Sequence, residues 1–217
     1  PVSGASSSTA AILAPPGTYI ITTGASAATP VPAGTFQPSS GATLAFQTPA
    51  GTYIPVTGSS SSTSALLAPV GTYIPSMGAT SSNAAIPALT GTYIPVTGAS
   101  SSSAAIPASI GAYIPVTGAS SSSAAILAAP GTYVPTVGAS AAILAPIGSY
   151  VARSGASAPT LAPLGSFVSN TGAASATPAP VGTYVSTAGA SSATQAPVGS
   201  YVANMGASAA TLASPGT

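Results

Sequence analysis

The 217 residues include no Asp, Glu, His, Cys or Lys, and Arg153 is the single charged side chain. General acid–base catalysis near neutral pH draws on His, carboxylate, Lys or Cys groups that can be tuned to titrate near 7, and none is present. The many serines have no neighbouring base to activate them, and an unperturbed phenol titrates near ~10. The sequence therefore predicts a chain that is not an enzyme, with no catalytic residue and no cofactor. Zinc asks for thiolate or imidazole and calcium for carboxylate, which leaves no metal site. One cation cannot neutralise the several phosphates on which nucleic-acid affinity rests, so no nucleic-acid partner is expected. No run of about 18 apolar residues occurs. The nearest stretches resemble residues 124–129, which predicts no membrane insertion.

What is present is a hydrophobic content of 46%, more than a disordered chain carries, so the molecule has something to bury. The 24 Gly and 23 Pro exclude long helices, because an interior Pro removes a backbone donor and clashes with the preceding turn. An all-β chain follows.

Internal repetition then gives the organisation. A glycine followed two residues later by an aromatic opens units at positions 17, 34, 51, 71, 91, 111, 131, 148, 165, 182 and 199, in steps of 17 or 20. Residues 1–16 and 216–217 are partial units, so the whole of 1–217 reads as a single repeat array. A second glycine follows the first by seven residues in every unit, and all length variation falls after it, where Ser-rich runs such as 100–103 and 120–123 occur. The three extra residues of the long units read as a surface loop.

The aromatic position holds Tyr19, Phe36, Tyr53, Tyr73, Tyr93, Tyr113, Tyr133, Tyr150, Phe167, Tyr184 and Tyr201, and the next residue is β-branched in ten of eleven units, Gln37 being the exception. Such pairs form strands, and a following Pro, as at Pro55 or Pro75, ends them, which predicts strands of about 3–5 residues. A second short strand precedes the next glycine, with a bulky or β-branched residue five before it and usually Ala three before it. Glycine at each corner supplies a tight bend, and Pro16-Gly17 and Pro130-Gly131 are turn chemistry.

The expected architecture is a β-solenoid with one short-stranded coil per repeat, in which coils pair at ~4.8 Å and like residues form ladders. Charges at a repeated position would face their own copies, which accounts for their absence. The β-branched row is expected inside, since Ile and Val have no polar tip, and the aromatic row at or near the surface. Against this, Arg153, Asn170 and Asn204 share the parity of the β-branched position, so the inverse assignment stays open. With the β-branched row inside, the repeat holding Gln37 is expected to be among the weakest, and Gln37→Ile to stabilise.

The units running Ala179-Pro-Val-Gly-Thr-Tyr-Val and Ala196-Pro-Val-Gly-Ser-Tyr-Val resemble the Pro-x-Gly-Thr-Tyr repeats of ephrin-receptor-like, cysteine-rich extracellular modules, in a cysteine-free version; a bacterial-type surface repeat is a second resemblance. Those modules are stapled by disulfides, and Ala179, Ala193 and Ala196 stand here where Cys would be expected. The resemblance implies an extracellular or cell-surface setting, and the family fold is not carried over.

Two functions follow as expectations. One is a structural protein, a subunit of an extracellular fibre or filament or the stalk of an adhesin, with itself as partner through end-to-end or lateral assembly. The incomplete units at both ends lead to the expectation of a window from a longer array, or of a subunit that stacks end to end. The other is a binding module with a repetitive flat face for ice or carbohydrate, although Thr92 and Thr97 lack the Thr-x-Thr spacing of ice-binding solenoids. The aromatic row serves packing or, alternatively, a sugar- or partner-binding surface. Ser101, Ser102, Ser121 and Ser122 are either solvated loop or O-glycosylation positions bearing glycans.

Overall fold

A computed structural model describes residues 11–214. The chain is all-β, built of antiparallel two-stranded units, one to a repeat, and among the described residues its helical structure is limited to single 3-10 turns. The described residues form two compact units, one running to Ile106 with Thr117–Ser122 and the other comprising Pro107–Val116 and the residues from Ser123 onward.

Each repeat begins with a turn that its sequence encodes. The Thr18 N–H donates to the Pro15 carbonyl at 3.1 Å, with Pro16 and Gly17 between them and a Gly17 φ of 82°. Proline at the second position and a left-handed glycine at the third are what a type II turn requires. The Thr18 hydroxyl donates to the same carbonyl at 2.7 Å. This second bond recurs at Thr35, Thr52, Thr72, Thr92, Thr132 and Thr183. Ala112 keeps only the backbone bond, to Ser109 at 3.1 Å.

The turn leads into a strand that pairs with the end of the same repeat. Thr52–Tyr53 pairs antiparallel with Leu66–Leu67, setting Tyr53 opposite Leu66, and Thr132–Tyr133 pairs likewise with Ile143–Leu144. The strands are two residues long, where the sequence predicted three to five. Their shortness has a specific cause. The next residue, Ile54, donates to Ala79 at 3.0 Å and accepts from Gly34 at 2.8 Å, so both of its backbone groups turn to other repeats, and Pro55 has no donor to offer.

Pairing within the repeat also replaces the expected ladder of like residues. The backbone groups left over on glycine, alanine and the β-branched residue join neighbouring repeats in a ring (Gly98 N–H to Ala68, Ala68 N–H to Gly51 and Gly51 N–H to Ile74, each 2.8 Å, then Ile74 N–H to Ala99, 2.9 Å). The peptide joining Gly98 to Ala99 closes it. One ring thus ties the repeat opening at Gly51 to the next and to the next but one. Equivalent rings start from Gly17, Gly34 and Gly71 in the first unit and from Gly111, Gly131, Gly148 and Gly165 in the second. The ring positions are also the core, so their buried polar groups are satisfied without water.

Ile54, Ile74, Ile94, Ile114 and Val134 are fully buried, as are Ala68, Ala128, Ala145 and Ala162. The β-branched row therefore faces inward, each member contributing about 1.5–3 kcal/mol. Val151 is buried while Arg153 is exposed, because the strand ends before the parity between them can act. Gln37 is buried as well, at 4% exposure, but its amide is not orphaned: Nε2 donates to the Leu44 carbonyl at 2.5 Å, and Oε1 accepts from the Ser39 N–H at 2.9 Å. The expectation of a weak repeat is corrected accordingly. Gln37→Ile exchanges two hydrogen bonds for apolar burial and is expected to leave stability within about 1 kcal/mol of its starting value.

In the long repeats the three extra residues form one 3-10 turn, at Ser62–Ser64, Ser82–Ala84, Ser102–Ala104 and Ser122–Ala124. Ser61 and Ser81 cap the first two by accepting from Thr63 and Asn83. Among the described residues no helix is long and apolar enough to cross a membrane.

Candidate functional surface

The aromatic row is half-buried from Tyr19 to Tyr184, and Tyr201 is 53% exposed. Its rings pack forward along the chain. Tyr53 lies against the core cluster of Ala68, Ile74 and Ala79, and Tyr73 against Ala88, Ile94 and Ala99. On the other side each faces its strand partner, Tyr73 opposite Ile86, Tyr113 opposite Ile126, and Phe36 opposite Phe46 with ring centroids 5.8 Å apart. Cross-strand pairs of this kind stabilise hairpins, so packing accounts for the spacing of the row.

The hydroxyls are distributed differently. The turn threonines half-bury themselves against their carbonyls, while Ser101, Ser102 and Ser122 are exposed and Ser121 is half-buried. Ser101 shares a 2.5 Å hydroxyl–hydroxyl bond with Ser103. Arg153 lines an open hollow of about 420 Å³ with Tyr150, Ser154 and Thr160.

Sequence reasoning missed one surface feature. Period-two spacing places Leu66 on the same side as buried Ala68, yet Leu66 is 49% exposed and its neighbour Leu67 is 55% exposed. Ile86 and Ile106 are exposed at the same place in their repeats, as are Ile126, Leu127, Ile143, Leu144 and Leu161 farther on. The signal was available: two adjacent bulky apolar residues in one strand point to opposite faces, and both cannot enter the core. In the second unit this row is seated. A Cβ built on Gly155, Gly172 or Gly189 would meet the Cδ2 atom of Leu127, Leu144 or Leu161 at 3.4, 3.0 and 3.2 Å, so each leucine rests on the second glycine of a later repeat.

The chemistry of this surface is apolar, with hydroxyls and a single guanidinium. No protein-family model and no curated protein matches the chain.

Proposed function

We propose that the chain is a non-catalytic structural protein whose repeats stack as a β-solenoid and which works outside the cytoplasm, as the subunit of a fibre or filament or as the stalk of a surface adhesin. The observation that carries this reading is the hydrogen-bonded ring, which joins three successive repeats through the backbone groups of mostly glycine, alanine and β-branched residues. A fold held by repeat-to-repeat bonds gains length by repetition, which is what a fibre or stalk needs. Composition supports the same reading, since a chain without carboxylate, imidazole, thiol or amine side chains has no group to run acid–base or nucleophilic chemistry.

The likeness to cysteine-rich extracellular modules fits this setting. Ala179, where such a module would carry Cys, is fully buried, and the ring holds that position in place of a disulfide. The exposed serines, Ser102 among them, are available there for glycans. An ice-binding face is the weaker reading, because the threonine hydroxyls of the repeated turns are already committed to the carbonyls three residues before them.

Electron microscopy of native material, with protease shaving of intact cells, tests the proposal. Filaments or stalks at the cell surface are expected. A dispersed monomer confined to the cytoplasm overturns the reading, and thermal hysteresis in solution would move it to the ice-binding alternative.

A further inference from the structure

The geometry points to a lateral docking face for a second copy of this chain, formed by the exposed leucine row on the second strand of the repeats opening at Gly111, Gly131 and Gly148. This inference rests on the structural reading and names the surface by which copies would associate side by side. In the second unit the row comprises Leu127, Leu144 and Leu161, all between 57% and 61% exposed. All three are seated on the glycines of later repeats. Their positions are therefore set before any partner arrives, which lowers the ordering cost of association.

Two observations choose a second copy over other occupants. The row repeats at the period of the hydrogen-bonded rings, and only a surface of the same period stays in register along it; another copy has that period by construction. The chain carries a net charge of +1 with no carboxylate, so like charge does not oppose self-approach and no electrostatic match to a charged partner or anionic lipid is offered. Edge-to-edge strand addition is the less favourable geometry, because Pro30, Pro87 and Pro178 occupy the second position of their strands and offer no donor.

The test is sedimentation equilibrium on the full chain in 0.5 M salt, which screens charge. The unmodified chain is expected to gain mass with concentration. The triple variant Leu127→Lys, Leu144→Lys and Leu161→Lys, whose lysine stems still cover the glycines, is expected to associate at least 100-fold more weakly. A control adds the same charge elsewhere, Ser62→Lys with Ser82→Lys and Ser102→Lys on the 3-10 turns, and is expected to change association less than 10-fold. Should the triple variant not fold, Leu144→Cys supplies the readout, since the chain has no other thiol. Mild oxidation is then expected to link copies at least 10-fold faster than with Ser102→Cys. A chain that stays monomeric to 100 μM, equal loss in the control, or equal cross-linking at both positions overturns the docking face. Filaments that persist singly in the triple variant but bundle in the unmodified chain support it. Unbundled filaments in the unmodified chain refute it and leave the structural function standing, whereas absence of any assembly removes both.

Discussion

Gly71 and Gly78 lie in one repeat with left-handed φ of 79° and 72°, yet a side chain would meet different neighbours at each. A Cβ on Gly71 would come within 2.2 Å of the Gly118 carbonyl oxygen, a backbone atom fixed by its own ring, while one on Gly78 meets only the Gln47 side chain at 3.4 Å. Gly78→Ala is therefore expected to cost about 1–2 kcal/mol, the left-handed penalty alone. Gly71→Ala adds a backbone displacement and is expected to cost roughly 4 kcal/mol or more. Chemical denaturation compares them, and equal losses would show that conformation, not close approach, explains both glycines. Ser59 offers the opposite sign. It is 6% exposed where other repeats carry Ala79 or Ala99, and its hydroxyl has no partner. Ser59→Ala removes that orphan and is expected to stabilise by about 1 kcal/mol, a gain that a melting curve resolves.

At the scale of the element, the repeat separates a constant part from a variable one. The turn, both strands and every ring position occur in short and long repeats alike, and the 3-10 turn is added outside them. Deleting residues 62–64 converts a long repeat into a short one and is expected to change stability by less than about 1 kcal/mol, since closure of the arc depends only weakly on its length. Deleting Val56 alone shifts Gly58 out of its bond to Val31 and is expected to unfold the repeat; circular dichroism distinguishes the two outcomes. The same division explains how much was legible beforehand. Two strands per repeat, the glycine corners, the extra surface segment at residues 62–64 and the inward Ile and Val were readable, because propensity, spacing and burial act within one repeat. The ring was not, since its partners come from different positions in different repeats and no period in a single strand encodes them. The threonine turn bond and the Gln37 bridge were missed for a related reason: a hydroxyl or amide that reads as polar can be satisfied a few residues away. The apolar outer row was missed because the second strand was read for its spacing alone, with no face assigned to its bulky residues.

For the whole molecule, the absence of ionisable side chains other than Tyr and Arg153 governs the response to solution conditions. Stability changes with pH only where folded and unfolded states bind different numbers of protons, and apart from the chain ends no group here has an ordinary pKa between about 3 and 9. Melting temperature is expected to stay level across that interval. A cooperative acid transition within it would reveal a titrating partner. Salt is expected to matter as little to folding, because no ion pair is available to screen. The rings have a consequence for heredity as well. Every ring takes its members from the constant part of three successive repeats and none from the variable arc, so any repeat can occupy any place in a series. Unequal recombination that adds or removes one whole repeat hands each ring an equivalent partner, whereas a gain or loss inside the constant part breaks the circuit. Copy number is the dimension along which this gene can change freely, and natural variants of the chain are expected to differ by whole repeats of 17 or 20 residues.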